Sequence, residues 1–122
     1  MRRHKYGAKP QVVDNVKFAS KRESLYYLQL KALQKAGRIT DLELQPRFPM
    51  PPEGMWATVK GQKELVKVKP GTICTWIADF KYKTREGKTV IVDVKGMRLP
   101  MYKLKRRLFD YFYPGAGEVI EA

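Results

Sequence analysis

Cysteine and histidine are almost absent from these 122 residues, which hold one of each, Cys74 and His4. No internal disulfide can form, and a zinc site built from several Cys and His is excluded. A reducing cytoplasm fits that usage. Long apolar runs are missing as well. Stretches such as Val90-Ile91-Val92 fall far short of the roughly 20 residues needed to cross a bilayer, so no membrane partner is expected. The basic opening, Met1 to Lys9, leads into no apolar stretch of the kind a secretion signal carries. Acids are scarce too, with 12 Asp and Glu against 25 Lys and Arg, a formal net charge of +13.

What is present is a chain that can fold. Hydrophobic residues make up 43% and aromatics 11%, too apolar for a disordered basic tail, and the length suits one domain over residues 1–122. Positive charge concentrates in residues 1–38 and 79–113, and the stretch between them is near neutral. A surplus of this size can be plain surface solvation, but it is also the electrostatic footprint of a protein that binds nucleic acid. Residues 1–12, with Arg2, Arg3, Lys5 and Lys9, read as a flexible basic arm that would follow a phosphate backbone without reading sequence.

Local patterns place the elements. Ser20-Lys21-Arg22-Glu23 is a capping box, and Leu25, Leu28, Ala32 and Leu33, with Tyr26, Leu30 and Ala36, follow at helical spacing, so a helix is expected over 20–36 with Gly37 as its stop. Ile39 to Phe48 alternates as a strand ended by the proline cluster, and 55–69 holds one or two weak strands. Residues 73–83 read as one strand with Trp76, Ala78, Phe80 and Tyr82 on one face. Residues 89–95 form a second strand with Val90, Val92 and Val94 on one face. Pro100 suits the first turn of a helix over 100–112, with Met101, Leu104, Leu108 and Phe112 as its buried stripe. Glu118-Val119-Ile120 would add a short strand.

Register between 73–83 and 89–95 has a chemical consequence. A two-residue loop, Glu86-Gly87, would set Phe80 against Asp93 and mix the two faces. A three-residue loop, Arg85-Glu86-Gly87 with Gly87 left-handed, sets Phe80 opposite Val92 and Tyr82 opposite Val90. It also places Asp79 opposite Asp93, about 5 Å apart at Cβ. Two like charges so placed destabilise a sheet unless something offsets them. Asp79, Asp93 and the Val94 carbonyl would supply hard oxygen donors for Mg²⁺ or Mn²⁺. Lys95, two residues on and so on the face of Asp93, could orient and help deprotonate a water there. The alternative is a solvated strand face with weak ion pairs.

The order of parts is a helix with Glu23, a strand, a hairpin carrying Ala78-Asp79 and then Asp93-Val94-Lys95, and a basic helix. It resembles the PD-(D/E)xK nuclease superfamily, which includes Holliday-junction-resolvase-like endonucleases. The stretches Phe18-Ala-Ser-Lys-Arg-Glu23, Asp41-Leu-Glu-Leu-Gln-Pro46, Ala78-Asp-Phe80 and Val92-Asp-Val-Lys-Gly96 also resemble a short phage and prophage family of unknown function. The likeness spans residues 5–113, and Ala78 stands where that superfamily often has proline. It implies an α/β fold, a restriction-endonuclease-like mixed central sheet flanked by helices, and it places catalytic or metal-binding roles on Glu23, Asp79, Asp93 and Lys95. As third residue of the capping box, Glu23 has a structural role that need not exclude the other.

Further residues would meet nucleic acid. Gln45 could lie near the metal or a phosphate, or be a polar outward strand position. Tyr102 and Lys103 could hold a phosphate or be plain surface, and Arg106, Lys21, Arg22, Arg3 and Lys5 add basic contacts. The expected function is metal-dependent hydrolysis of DNA phosphodiesters, on branched or junction DNA in phage replication or recombination as the resemblance implies, in the host cytoplasm. A homodimer is implied by the same likeness. The rival readings are a non-catalytic nucleic-acid-binding protein and a small basic structural protein. Trp76, Phe80 and Tyr82 are expected in the core rather than as base-stacking platforms, and Cys74 as a small apolar group.

Overall fold

A computed structural model describes residues 10–58, 61, 64–94 and 99–122. In chain order the elements are β1 (Gln11–Val13), β2 (Val16–Phe18), α1 (Lys21–Lys35), β3 (Ile39–Leu44), β4 (Arg47–Met50), β5 (Trp56–Thr58) and β6 (Leu65–Lys67). They continue with β7 (Cys74–Ile77), β8 (Phe80–Thr84), β9 (Thr89–Asp93), α2 (Pro100–Phe112) and β10 (Glu118–Glu121). The protein is a mixed α/β fold. Two compact units divide the chain: Met1–Gln45 with Ala78–Met97 and Gly117–Ala122, and Pro46–Ile77 with Arg98–Ala116.

The first unit is built on a four-stranded sheet in the order β10-β9-β8-β3. β3, β8 and β9 are antiparallel neighbours, and β10 runs parallel to β9, with Glu121 beside Asp93. The expected register holds: Phe80 faces Val92 and Tyr82 faces Val90. Gly87 takes a left-handed φ of 80° in the turn and donates its N–H to the Thr84 carbonyl, while Thr84 donates to Lys88. Gly117 allows β10 to dock closely, since a Cβ there would lie 2.8 Å from the Thr89 carbonyl oxygen.

Helix α1 starts where the capping box puts it, with the Ser20 hydroxyl accepting the Glu23 N–H at 3.1 Å. Its buried face differs from the expected one. Glu23, Ser24, Tyr27 and Leu30 face inward, and Leu25, Leu28 and Leu33 are exposed. The reason is the aromatic core. Phe80, fully buried, sits among Phe18, Tyr26 and Tyr27 at ring distances of 5.9–6.4 Å. Ring area of that size outweighs a leucine stripe in setting which way a helix turns. Gln11 and Val12, read as the end of a basic arm, instead pair with Phe18 and Lys17. The Asp14-Asn15 turn that allows this has positive φ at both residues, the primed geometry that matches strand twist.

The second unit pairs β4 with β7, setting Phe48 against Trp76. The expected strand 39–48 therefore ends at Leu44, and Phe48 belongs to the next one. Likewise 73–83 is two strands. The chain changes partners at Ala78-Asp79, so Trp76 packs in this unit with Phe48 and Phe109, at ring distances of 5.5 and 4.8 Å, and not with Phe80 and Tyr82. α2 has the expected limits, but Tyr102 and Phe109 are its buried residues, whereas Met101 and Leu104 are exposed. The inward stripe runs 102, 106, 109 because Phe109 fills the gap between the Phe48 and Trp76 rings. β5 and β6 form a separate two-stranded ribbon.

Candidate active site

The β8–β9 ladder ends at Phe80 opposite Val92, and the residue before Phe80 bonds out of that register. The Asp79 N–H donates to the Val92 carbonyl at 3.0 Å, and the Asp79 carbonyl accepts the Gln45 N–H at 2.9 Å. Asp79 is thus held by its backbone on both sides, between the end of β3 and the end of β9. Its side chain then turns toward Asp93. The Asp93 carboxyl lies close enough to act on it, and a proton held by one of the two would relieve their repulsion. The Val94 N–H donates to Asp79 Oδ2 at 2.6 Å. Asp93 is fully buried at the end of β9, where its own carbonyl accepts the Ala122 N–H at 3.0 Å.

Electrostatics follow from this crowding. Burial pushes the Asp79 carboxyl up to about 8, helped by the hydrogen bond with Asp93 and by the negative charge of Glu23 and Asp93. The Val94 N–H opposes the rise, since a donor favours the carboxylate. Glu23 is buried in the first turn of α1, so the capping residue also contributes its charge to the carboxyl pair. Glu23 from α1 and Asp93 from β9 therefore both act on Asp79, the residue before β8.

The remaining expected site residues fall as follows. Val94 presents its amide to Asp79. Lys95, Arg3 and Lys5 lie outside the described residues. Gln45 is exposed with a left-handed φ of 49°, and its backbone anchors Asp79. Lys21 and Arg22 are exposed on the first turn of α1. Tyr102, Lys103 and Arg106 belong to the second unit: Tyr102 is buried, Lys103 exposed. Arg106 donates to Asp110 at 3.0 Å, and its guanidinium lies 5.4 Å from the Trp76 ring centre and 5.7 Å from that of Phe109. The anchoring role of the Gln45 amide was not read from sequence. The signal was the Gln45-Pro46 step, where a strand must end beside the hairpin.

No three His, Cys, Asp or Glu side chains among the described residues are grouped as a ready metal cage. The donor chemistry of the pair nonetheless fits a hard divalent cation: Asp79 lies in the negative field of Asp93 and Glu23, which a positive charge there would offset.

Fold and site together define a strongly basic α/β protein with a carboxyl pair, Asp93 buried and Asp79 partly so, at the open end of a hairpin. No helix among the described residues is long and apolar enough to cross a membrane. Residues 3–120 match the family model described as protein of unknown function DUF1064, and the chain belongs to that family. No curated protein and no solved structure matches the chain.

Proposed function

We propose that this protein is a metal-dependent endonuclease that hydrolyses DNA phosphodiester bonds. The observation that supports the reading most is the Asp79–Asp93 carboxyl pair, with Glu23 acting on it, at the end of β9 in a chain of net charge +13. Asp79, Asp93 and Glu23 would hold Mg²⁺ or Mn²⁺, the Val94 carbonyl adding a neutral donor. When bound, the cation would activate a water and neutralise charge growing on the phosphate. The Gln45 and Val94 amides fix Asp79 so that its carboxyl stays aimed at Asp93. Lys95 follows Asp93 by two residues and would supply the ammonium that orients the water. Lys21 and Arg22, exposed beside Glu23, would hold the phosphate backbone. The PD-(D/E)xK likeness, and with it a junction substrate and a dimer, belongs to the same proposal.

The test is incubation of purified protein with linear, supercoiled and four-way-junction DNA, in Mg²⁺, Mn²⁺ or chelator. Cutting that needs the cation and is lost in Asp93→Asn supports the reading. Intact DNA under every condition overturns it. The second reading, a basic nucleic-acid-binding protein without catalysis, draws support from the lack of a three-donor group among the described residues, and it predicts binding with no cutting in any of these arms.

A further inference from the structure

The ribbon formed by β5 and β6 has no core of its own. All six of its strand residues are exposed, and they include the apolar Trp56, Leu65 and Val66. A two-stranded ribbon is marginal in water unless one face packs on something. Trp56, at 57% exposure, and Leu65, at 58%, leave large apolar surface in solvent.

Register sorts the ribbon into two unlike faces. Trp56 stands directly opposite Lys67, and Thr58 opposite Leu65, so these four share one face. Ala57 opposite Val66 makes the other. Trp56 and Lys67 therefore rise from opposed positions of one face, with Leu65 and Thr58 further along. The segment is net positive: residues 55–69 hold Lys60, Lys63, Lys67 and Lys69 against Glu64 alone. Exposed ring, adjacent cation and local positive charge are the parts of a stacking platform for unpaired bases, in which the ring takes a base face and the cation the adjoining phosphate.

We infer that the Trp56–Lys67 face of the β5–β6 ribbon binds single-stranded DNA, with an unpaired base stacked on Trp56 and the neighbouring phosphate held by Lys67. A base inside a duplex hides both faces in the stack, whereas a branch point, gap or end offers one. The ribbon thus deepens the proposed nuclease function and rests on it: it names DNA with unpaired bases as the substrate class. The lysines disfavour a second basic chain as occupant and favour a polyanion.

Binding is measured in chelator, which separates it from cutting. Labelled oligo(dT) and a blunt duplex of equal length are titrated by fluorescence anisotropy against wild type, Trp56→Ala, Trp56→Phe and Lys67→Ala. The expected result is a roughly ten-fold loss of oligo(dT) affinity in Trp56→Ala, a smaller loss in Lys67→Ala, near-normal affinity in Trp56→Phe, and little change on duplex. Intrinsic fluorescence gives a second readout. Trp76 is 2% exposed, so quenching by oligo(dT) should come from Trp56 and vanish in Trp56→Phe. Unchanged oligo(dT) affinity in Trp56→Ala, or quenching that persists in Trp56→Phe, overturns the inference, as does a loss equal on duplex and single strand. A change in self-association with DNA affinity intact also overturns it, by assigning the ribbon to a second copy. Cation-dependent cutting, read separately on the duplex, distinguishes failure of this inference from failure of the nuclease reading.

Discussion

The two units bury opposite charge. In one, carboxyl groups of Glu23 and Asp93 are taken out of water and act on the partly buried Asp79. In the other, the Arg106 side chain is packed against the Trp76 and Phe109 rings and paired with Asp110. The second arrangement is self-compensated, because aromatic faces and a carboxylate both attract a guanidinium. The first crowds like charges into one place, eased at Asp79 by the Val94 N–H and by protonation of its carboxyl. Crowding of like charge at Asp79 is a cost that an added cation would lower, whereas the contacts of the Arg106 guanidinium are attractive ones made within its own unit.

The largest effect should come from the cluster. Asp93→Asn keeps the shape of the side chain and removes its charge, so cation-dependent cutting should fall by roughly a thousand-fold or more, while affinity for DNA in chelator is kept or rises. A single-turnover cleavage assay beside a binding titration reads both. Retained cutting would place the chemistry elsewhere and remove the contrast between the units.

Next in size is the cation of the second unit. Arg106→Ala loses the ring contacts, the Asp110 bond and the packing of the side-chain stem, and should cost about 1–3 kcal/mol in chemical denaturation. Arg106→Lys should recover little, since an ammonium lacks the flat face that lies against Trp76. DNA affinity unaffected by the change would confirm that this arginine is structural, against its sequence-based reading as a DNA contact.

Titration of Asp79 separates the units by pH. Between about 4 and about 8 the folded protein keeps a proton on Asp79 that the unfolded chain, with its ordinary value of 3.8, has released. The native state binds more protons there, so stability falls as pH rises through that window. In chelator the loss from pH 5 to pH 8 should be on the order of 1–3 kcal/mol. It should flatten in Asp79→Asn and shrink when Mg²⁺ is added at pH 8. A flat profile in the wild type would show that the carboxyl pair is not strained.

How much of this could be read beforehand differs by interaction type. The Phe80–Val92 register followed from face matching, because a one-residue slip would put valines opposite charges, and it brings the Asp79 and Asp93 carboxyls near each other although the ladder itself stops at Phe80. Helix limits followed from Ser20, Gly37 and Pro100, which act locally. What failed were choices that depend on distant partners. Leu25 and Leu28 fit a helical stripe as well as Tyr27 and Leu30 do, and only Phe80 decides between them. The break at Ala78-Asp79 was hidden because alternation continues through it while the pairing partner changes. Arg106 read as surface charge because no local pattern announces an aromatic neighbour 30 residues earlier in the chain, at Trp76.

The smallest effect should come from ion pairs at the surface of the first unit, and its smallness makes the buried cluster stand out. Lys81 and Glu43, and Lys83 and Asp41, approach to 3.9 Å across β8 and β3. All four are in contact with water, where screening and side-chain entropy cancel most of the attraction. Lys83→Ala should change stability by less than about 0.5 kcal/mol. Asp41 matters through its backbone instead: it has a φ of 56° in the bulge between Thr40 and Glu43, where the Leu42 N–H is taken by the Gln34 side chain at 3.1 Å. Asp41→Gly should therefore be neutral or slightly stabilising although it deletes an ion pair, and Asp41→Val should be clearly destabilising, because a β-branched residue resists that conformation. Urea titrations of the three variants at low and high salt would separate the charge from the backbone, and a Lys83→Ala loss as large as that of Asp41→Val would show that surface charge carries more of this sheet than its geometry allows.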